Sequence, residues 1–136
     1  MHEWALAEAV VETATSEINK AGFTSVKEIK IKVGELAQIE VDSVKFAIEN
    51  ILPEYKTIII ADNFVFEDAE AVLKCRHCST QWNYRDSLKN LDDEKIESIH
   101  FIPEIAHGFL KCPKCMSPDF EIMSGRGLTI ESIEGE

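Results

Sequence analysis

An α+β fold is what the sequence predicts: two helices on a small three-stranded sheet, with a cysteine-bearing domain inserted before the last strand. Three observations carry this. Residues 4–20 repeat apolar side chains at helical spacing, residues 26–33 and 57–66 read as strands, and the chain changes character at Cys75. A final strand-like run then follows at residues 128–133.

Trp4, Ala7, Val11, Ala14 and Ile18 fall on one helical stripe with Leu6 and Val10 beside it, and Gly22 is placed to end the helix. In the next run Ile29, Ile31 and Val33 alternate with Glu28, Lys30 and Lys32, the period of a half-buried strand, which Gly34 ends. Asp42 suits the N-cap of a second helix carrying Val44, Ala47, Ile48 and Ile51, closed before Pro53. Residues 57–66 are nearly all β-branched or aromatic and predict a second strand. A further helix is expected near residues 92–99, and Gly125-Arg126-Gly127 reads as a turn into the last strand. That last strand is expected to return to the first sheet. The predicted division is therefore residues 1–72 with 125–136 as one domain and 73–124 as the inserted one.

Charge narrows the function. The 136 residues hold 14 Lys and Arg against 25 Asp and Glu, a net charge of −11. Phosphate backbones and anionic bilayers repel such a surface, so neither nucleic acid nor membrane is an expected partner. The first twenty residues carry Glu3, Glu8, Glu12 and Glu17, unlike a signal peptide, and no apolar run approaches the ~18 residues of a membrane span. A cytoplasmic location is the expectation.

The cysteines form two pairs of identical spacing, Cys75-Arg76-His77-Cys78 and Cys112-Pro113-Lys114-Cys115. Two intervening residues let a tight turn aim both sulfurs at one ion, and two such turns complete a tetrahedron. Sulfur tetrahedra select zinc or iron. A structural Zn(II) in a zinc-ribbon-like domain is the reading preferred here, because the segment is small for folding by burial alone. The gap between pairs exceeds the roughly 15–20 residues of many ribbons. A rubredoxin-like iron electron carrier uses the same spacing, but such carriers usually place Gly after each second cysteine, where Ser79 and Met116 stand. Colour separates the two, since ferric iron on four thiolates is red. A closed four-sulfur site has no open position for substrate, so the function is sought elsewhere.

The chain begins Met1-His2-Glu3. A free α-amine, the amide nitrogen of residue 2 and the His2 imidazole can close fused chelate rings on one ion. Nitrogens in a plane favour Ni(II) or Cu(II) over zinc, and Glu3 adds a nearby oxygen. The opening Met-His-Glu, the helix Trp4-Ala5-Leu6-Ala7-Glu8-Ala9, the strand leading to Val33-Gly34-Glu35-Leu36, and Phe109-Leu110-Lys111-Cys112-Pro113-Lys114-Cys115 occur in this order. Together they resemble the HypA/HybF family of hydrogenase nickel-insertion accessory proteins over essentially the whole chain. The long insert between the pairs resembles the archaeal members.

The resemblance implies a nickel metallochaperone. Ni(II) would be transported on Met1, His2 and Glu3, and Zn(II) held on Cys75, Cys78, Cys112 and Cys115. The metal would pass, with the GTPase HypB, to the precursor of the [NiFe]-hydrogenase large subunit; some members also serve urease. A monomer and a homodimer both stay open. The competing classes are a zinc-ribbon interaction module, which leaves Met1-His2-Glu3 idle, and the iron carrier.

Three other histidines differ in position. His77 inside the first pair reads as a solvated knuckle residue, and His107 as local packing or surface. His100, between apolar residues at the end of the expected third helix, reads as packed or capping. The sharper reading brings His100 to the nickel as a further nitrogen, letting domain motion gate capture. No enzyme signature is present: the chain lacks a phosphate loop of the Gly-x-x-x-x-Gly-Lys type, a His-Glu-x-x-His pair and a Gly-x-Ser-x-Gly elbow. Glu28, Glu35 and Glu40 read as ordinary solvated charges.

Overall fold

A computed structural model of the chain describes residues 3–37 and 39–136. It contains two three-stranded sheets and divides into two compact units, one comprising Met1–Lys32, Ile39–Glu67 and Thr129–Glu136, the other Val33–Gln38 and Asp68–Leu128.

In the first unit, α1 (Glu3–Ala21) buries Ala7, Val10, Val11, Ala14 and Ile18 and ends where Gly22 adopts φ +72. It packs along α2 (Val41–Ile51), which buries Val44, Ala47, Ile48 and Ile51. The periodicity located both apolar stripes, with one correction. Trp4 is 47% exposed, so the buried stripe of α1 starts at Ala7. Glu40, and not Asp42, occupies the N-cap of α2; its side chain makes no cap bond, and Asp42 instead lies in the first turn, where a carboxylate favours the positive helix end.

The first sheet has the order β2 (Phe64–Ala69), β1 (Val26–Gly34), β6 (Leu128–Gly135). The last strand does return to the first sheet. Glu136 O accepts from Thr24 N and Ser25 N, tying the chain end to the start of β1. In β1, Ile29 and Ile31 are fully buried while Lys30 and Lys32 face the other way, as alternation requires. The second strand starts later than its composition suggests. Residues 57–60 are not strand, and a 3₁₀ turn at Ala61–Asn63 precedes β2. Asn63 is the cause: its Oδ1 accepts from Ile60 N at 2.8 Å while its Nδ2 donates to Val26 O at 3.1 Å. The side chain satisfies backbone groups that a strand would have paired.

The second unit is built on the antiparallel sheet β4 (Gln81–Asn83), β3 (Val72–Cys75), β5 (Phe120–Ser124). Leu73 lies opposite Trp82 on one side and Ile122 on the other, and Cys75 lies opposite Phe120. Helix α3 (Asp93–Phe101) starts at Asp92, whose carboxylate accepts from Lys95 N at 2.8 Å. The core gathers Leu36, Leu73, Tyr84, Ile99, Leu110 and Phe120. Leu36 enters it because the backbone of 34–36 pairs with the turn before β6: Gly34 N donates to Gly127 O at 2.7 Å and Leu36 N to Gly125 O at 2.8 Å. That pairing confirms Gly125-Arg126-Gly127 as a structural turn, with Gly125 at φ +88.

Candidate metal centre

The four cysteines converge in the second unit. Cys75 ends β3 and Cys78 lies in the turn that leads to β4; Cys112 and Cys115 lie in the turn before β5. Both turns carry the same bond pattern. Cys75 N donates to Thr80 O at 2.8 Å and Cys112 N to Ser117 O at 2.9 Å. Ser79 N donates to Cys75 O at 3.0 Å and Met116 N to Cys112 O at 2.9 Å. The Cys75 sulfur accepts from His77 N and Cys78 N at 3.3 and 3.4 Å, and the Cys112 sulfur from Lys114 N and Cys115 N at 3.4 and 3.5 Å. The chain thus builds one knuckle twice.

Both knuckles turn through a left-handed residue, Ser79 at φ 65 and Met116 at φ 66. These are the positions at which the sequence comparison with iron carriers expected glycine. The backbone shape is therefore adopted without it, and the missing glycines do not separate zinc from iron by geometry.

The sulfurs fit a single tetrahedral ion. All four lie within 4.8 Å of one another, with Cys75–Cys115 and Cys78–Cys112 each 3.5 Å apart. Bonds of about 2.3 Å to a tetrahedral zinc set sulfurs roughly 3.8 Å apart, so little adjustment is needed. Cys75 and Cys112 are fully buried, Cys78 and Cys115 half-buried. The Thr80 hydroxyl lies 3.1 Å from the Cys78 sulfur, and this contact, with the Thr80 backbone N–H, lowers the Cys78 thiol to about 6. A thiol so lowered is ready to bind metal as thiolate.

Other predicted residues fall in different places. Met1 and His2 lie outside the described residues. Glu3 opens α1 and lines a groove of about 470 Å³ with Trp4, Asp42, Ser43 and Phe46. Trp4 and Phe46 are both exposed there, and Asp42, whose sequence position suggests only a cap, is a second carboxylate beside Glu3. His100 sits half-buried in the last turn of α3. His77 is exposed on the first knuckle. His107 is packed, stacking on Phe120 with centroids 4.2 Å apart while its Nδ1 lies 3.0 Å from Pro118 O.

Glu35 is a correction. Its Oε2 accepts from Arg85 Nη2 at 3.0 Å, its Oε1 is buried without a partner among the described residues, and its side chain is 17% exposed. It is no ordinary solvated charge. Sequence position offered no sign of this, because the pairing of 34–36 with residues 125–127 draws it inward.

Fold and site define a class: a small α+β metalloprotein with an inserted zinc-ribbon-like domain. The chain belongs to the HypA family, whose model, described as "Hydrogenase/urease nickel incorporation, metallochaperone, hypA", matches residues 1–135. Among similar proteins, the hydrogenase maturation factor HypA of Pyrococcus furiosus is 46% identical over 140 residues, covering 100% of this chain and 99% of that protein. The HypA of Thermococcus gammatolerans is 43% identical with the same coverage, and that of Ignicoccus hospitalis 30% identical over 98% of this chain and 96% of its own length. The solution structure of the Ni metallochaperone HypA from Helicobacter pylori aligns with TM-score 0.61 at 18% identity, covering 99% of this chain and 97% of that one. A second HypA solution structure aligns with TM-score 0.63 at 18% identity. Among the described residues, no helix is long and apolar enough to cross a membrane.

Proposed function

We propose that this chain is a nickel metallochaperone of hydrogenase maturation that takes Ni(II) at Met1-His2-Glu3 and surrenders it to a partner. The observation that carries the reading is the family match, which begins at residue 1 and so includes the chelating tripeptide. The α-amine of Met1, the amide nitrogen of His2 and its imidazole supply the nitrogens, and Glu3 is the candidate oxygen. The groove beside Glu3 adds Asp42, a second negative charge favouring a divalent cation. Few ligands, most of them on one end of the chain, make a site that captures nickel and still releases it.

Zinc on Cys75, Cys78, Cys112 and Cys115 serves the fold of the second unit. Its ligand set is closed, so it holds structure and takes no part in the transfer. His100 joins the nickel shell in the loaded state in this reading; His100→Ala then lowers nickel affinity without changing zinc content, and unchanged nickel affinity and stoichiometry removes it from the shell. Delivery runs with the GTPase HypB to the precursor of the [NiFe]-hydrogenase large subunit, in the cytoplasm. No nucleotide-binding loop is present in this sequence, so nucleotide hydrolysis belongs to the partner.

The deciding experiment is nickel titration calorimetry on untagged, zinc-loaded protein whose N-terminal residue is verified as Met1 by mass spectrometry. Native protein is expected to bind one equivalent, and His2→Ala to lose it. Equal binding by both, or none by either, refutes the N-terminal site and leaves a zinc-stabilised interaction module.

A further inference from the structure

The turn bonds and the N–H contacts to the first sulfur occur in both knuckles, but a side-chain contact to the second sulfur occurs in only one. Two residues after each second cysteine stands a hydroxyl side chain, Thr80 in the first and Ser117 in the second. Thr80 Oγ1 lies 3.1 Å from the Cys78 sulfur. Ser117 Oγ turns away from Cys115 and accepts from Asp119 N at 3.1 Å. We propose that Thr80 is a positioning residue that holds Cys78 on the metal, and that Cys115 is in consequence the first ligand to leave it. This rests on the reading that the four cysteines hold zinc.

A metal-bound sulfur is a thiolate with no proton, so in the loaded site the Thr80 hydroxyl is the donor. Hydrogen bonds to a charged acceptor are the strong ones. The donor draws charge from the sulfur, which lowers its reactivity toward protons and alkylating agents and fixes its direction. Cys75 and Cys112 are fully buried and each accept two backbone N–H groups, so neither is open to attack. Cys78 and Cys115 are the two half-buried sulfurs. Of these, Cys78 has a side-chain hydroxyl donor and Cys115 has none among the described contacts. Both have exposed chain neighbours, His77 and Ser79 beside Cys78 and Lys114 and Met116 beside Cys115, so solvent reaches each knuckle alike. The hydroxyl contact is therefore what separates the two exposed-side sulfurs, and it leaves Cys115 with the higher charge density.

The test uses the zinc-loaded full chain, its zinc content fixed beforehand by elemental analysis. Limiting iodoacetamide is added, the attacking sulfur displacing iodide, and labelled peptides are mapped by mass spectrometry while released zinc is read with a chromophoric chelator. Native protein is expected to carry the first label on Cys115, with Cys78 following at least several-fold more slowly. Thr80→Val keeps the side-chain shape and removes the hydroxyl; Cys78 labelling is then expected to rise about tenfold, the scale of one hydrogen bond to a charged group, and zinc release to quicken. Thr80→Ser is expected to restore the native order. First labelling at Cys78 in native protein, or a Thr80→Val pattern identical to native, overturns the proposal while leaving the zinc site standing. A chain that takes up no zinc overturns the zinc reading and this inference with it.

Discussion

Ser79 and Met116 hold a conformation that a side chain disfavours by about 1–2 kcal/mol. Both follow a cysteine whose sulfur the turn must aim inward, so the strain is part of the knuckle. Ser79→Gly or Met116→Gly is expected to stabilise the zinc-loaded protein by about 1 kcal/mol each, read as a higher melting temperature; unchanged or lower melting would contradict the account. Tyr84 carries a second residue-scale tension. It is 1% exposed, its hydroxyl has no partner among the described residues, and burial, followed by the charge of Glu35, raises its pKa to about 12. An acid whose folded pKa is raised adds stability that is complete below its ordinary value near 10. That stability is lost as pH rises through about 12. Tyr84→Phe removes the unpaired hydroxyl, so it is expected to be neutral or stabilising by about 1 kcal/mol at pH 7. It should also flatten the alkaline loss of stability, a difference that melting curves at pH 8 and pH 11 would expose.

At the scale of elements, caps and close approaches decide where regular structure begins. Asp92 supplies the cap bond that opens α3, and Asp92→Ala is expected to cost about 1 kcal/mol, checked by denaturant unfolding. Composition extended the second strand back to residue 57, but Asn63 starts it at Phe64 by bonding to Ile60 N and to the carbonyls of β1. Such a bond is invisible to local pattern, because Val26 lies 37 positions away. Gly34 shows the same dependence. A Cβ there would strike the backbone of Gly125, and one at Gly125 would meet Ala71. The backbones are too close for any side chain, so Gly34→Ala is expected to destabilise by about 1–3 kcal/mol through overpacking. Unaltered stability would show that the 125–127 turn can move aside.

For the whole molecule, the two proposed metal sites should respond separately. Removing zinc is expected to unfold the second unit, because its cysteine turns have no disulfide to hold them. Amide exchange with chelator present would locate the loss in 68–128. Nickel should leave first on acidification, since a terminal amine ordinarily titrates near 7.7–8.0 and an imidazole near 6.5. Nickel bound as tightly at pH 5 as at pH 7.5 would contradict the N-terminal site. The groove of Glu3, Trp4, Asp42, Ser43 and Phe46 was not foreseen, since helical periodicity assigned Trp4 to the buried stripe.

By itself the sequence determined the helices, the first strand, the return of the last strand and the four-cysteine cluster. The helices, the first strand and the cysteine pairs are written in local signals, a period of 3.6 or 2 and a fixed spacing between thiols. The return of the last strand is an expectation about pairing, which the order β2-β1-β6 bears out. Tertiary structure alone decided the shortened second strand, the exposure of Trp4, the half-buried carboxylate of Glu35 and the left-handed turns at Ser79 and Met116. It also decided that Thr80 meets a cysteine while Ser117 turns from one. In these cases the partner is a backbone or side chain brought close only by folding, so residue type and spacing could not announce the contact.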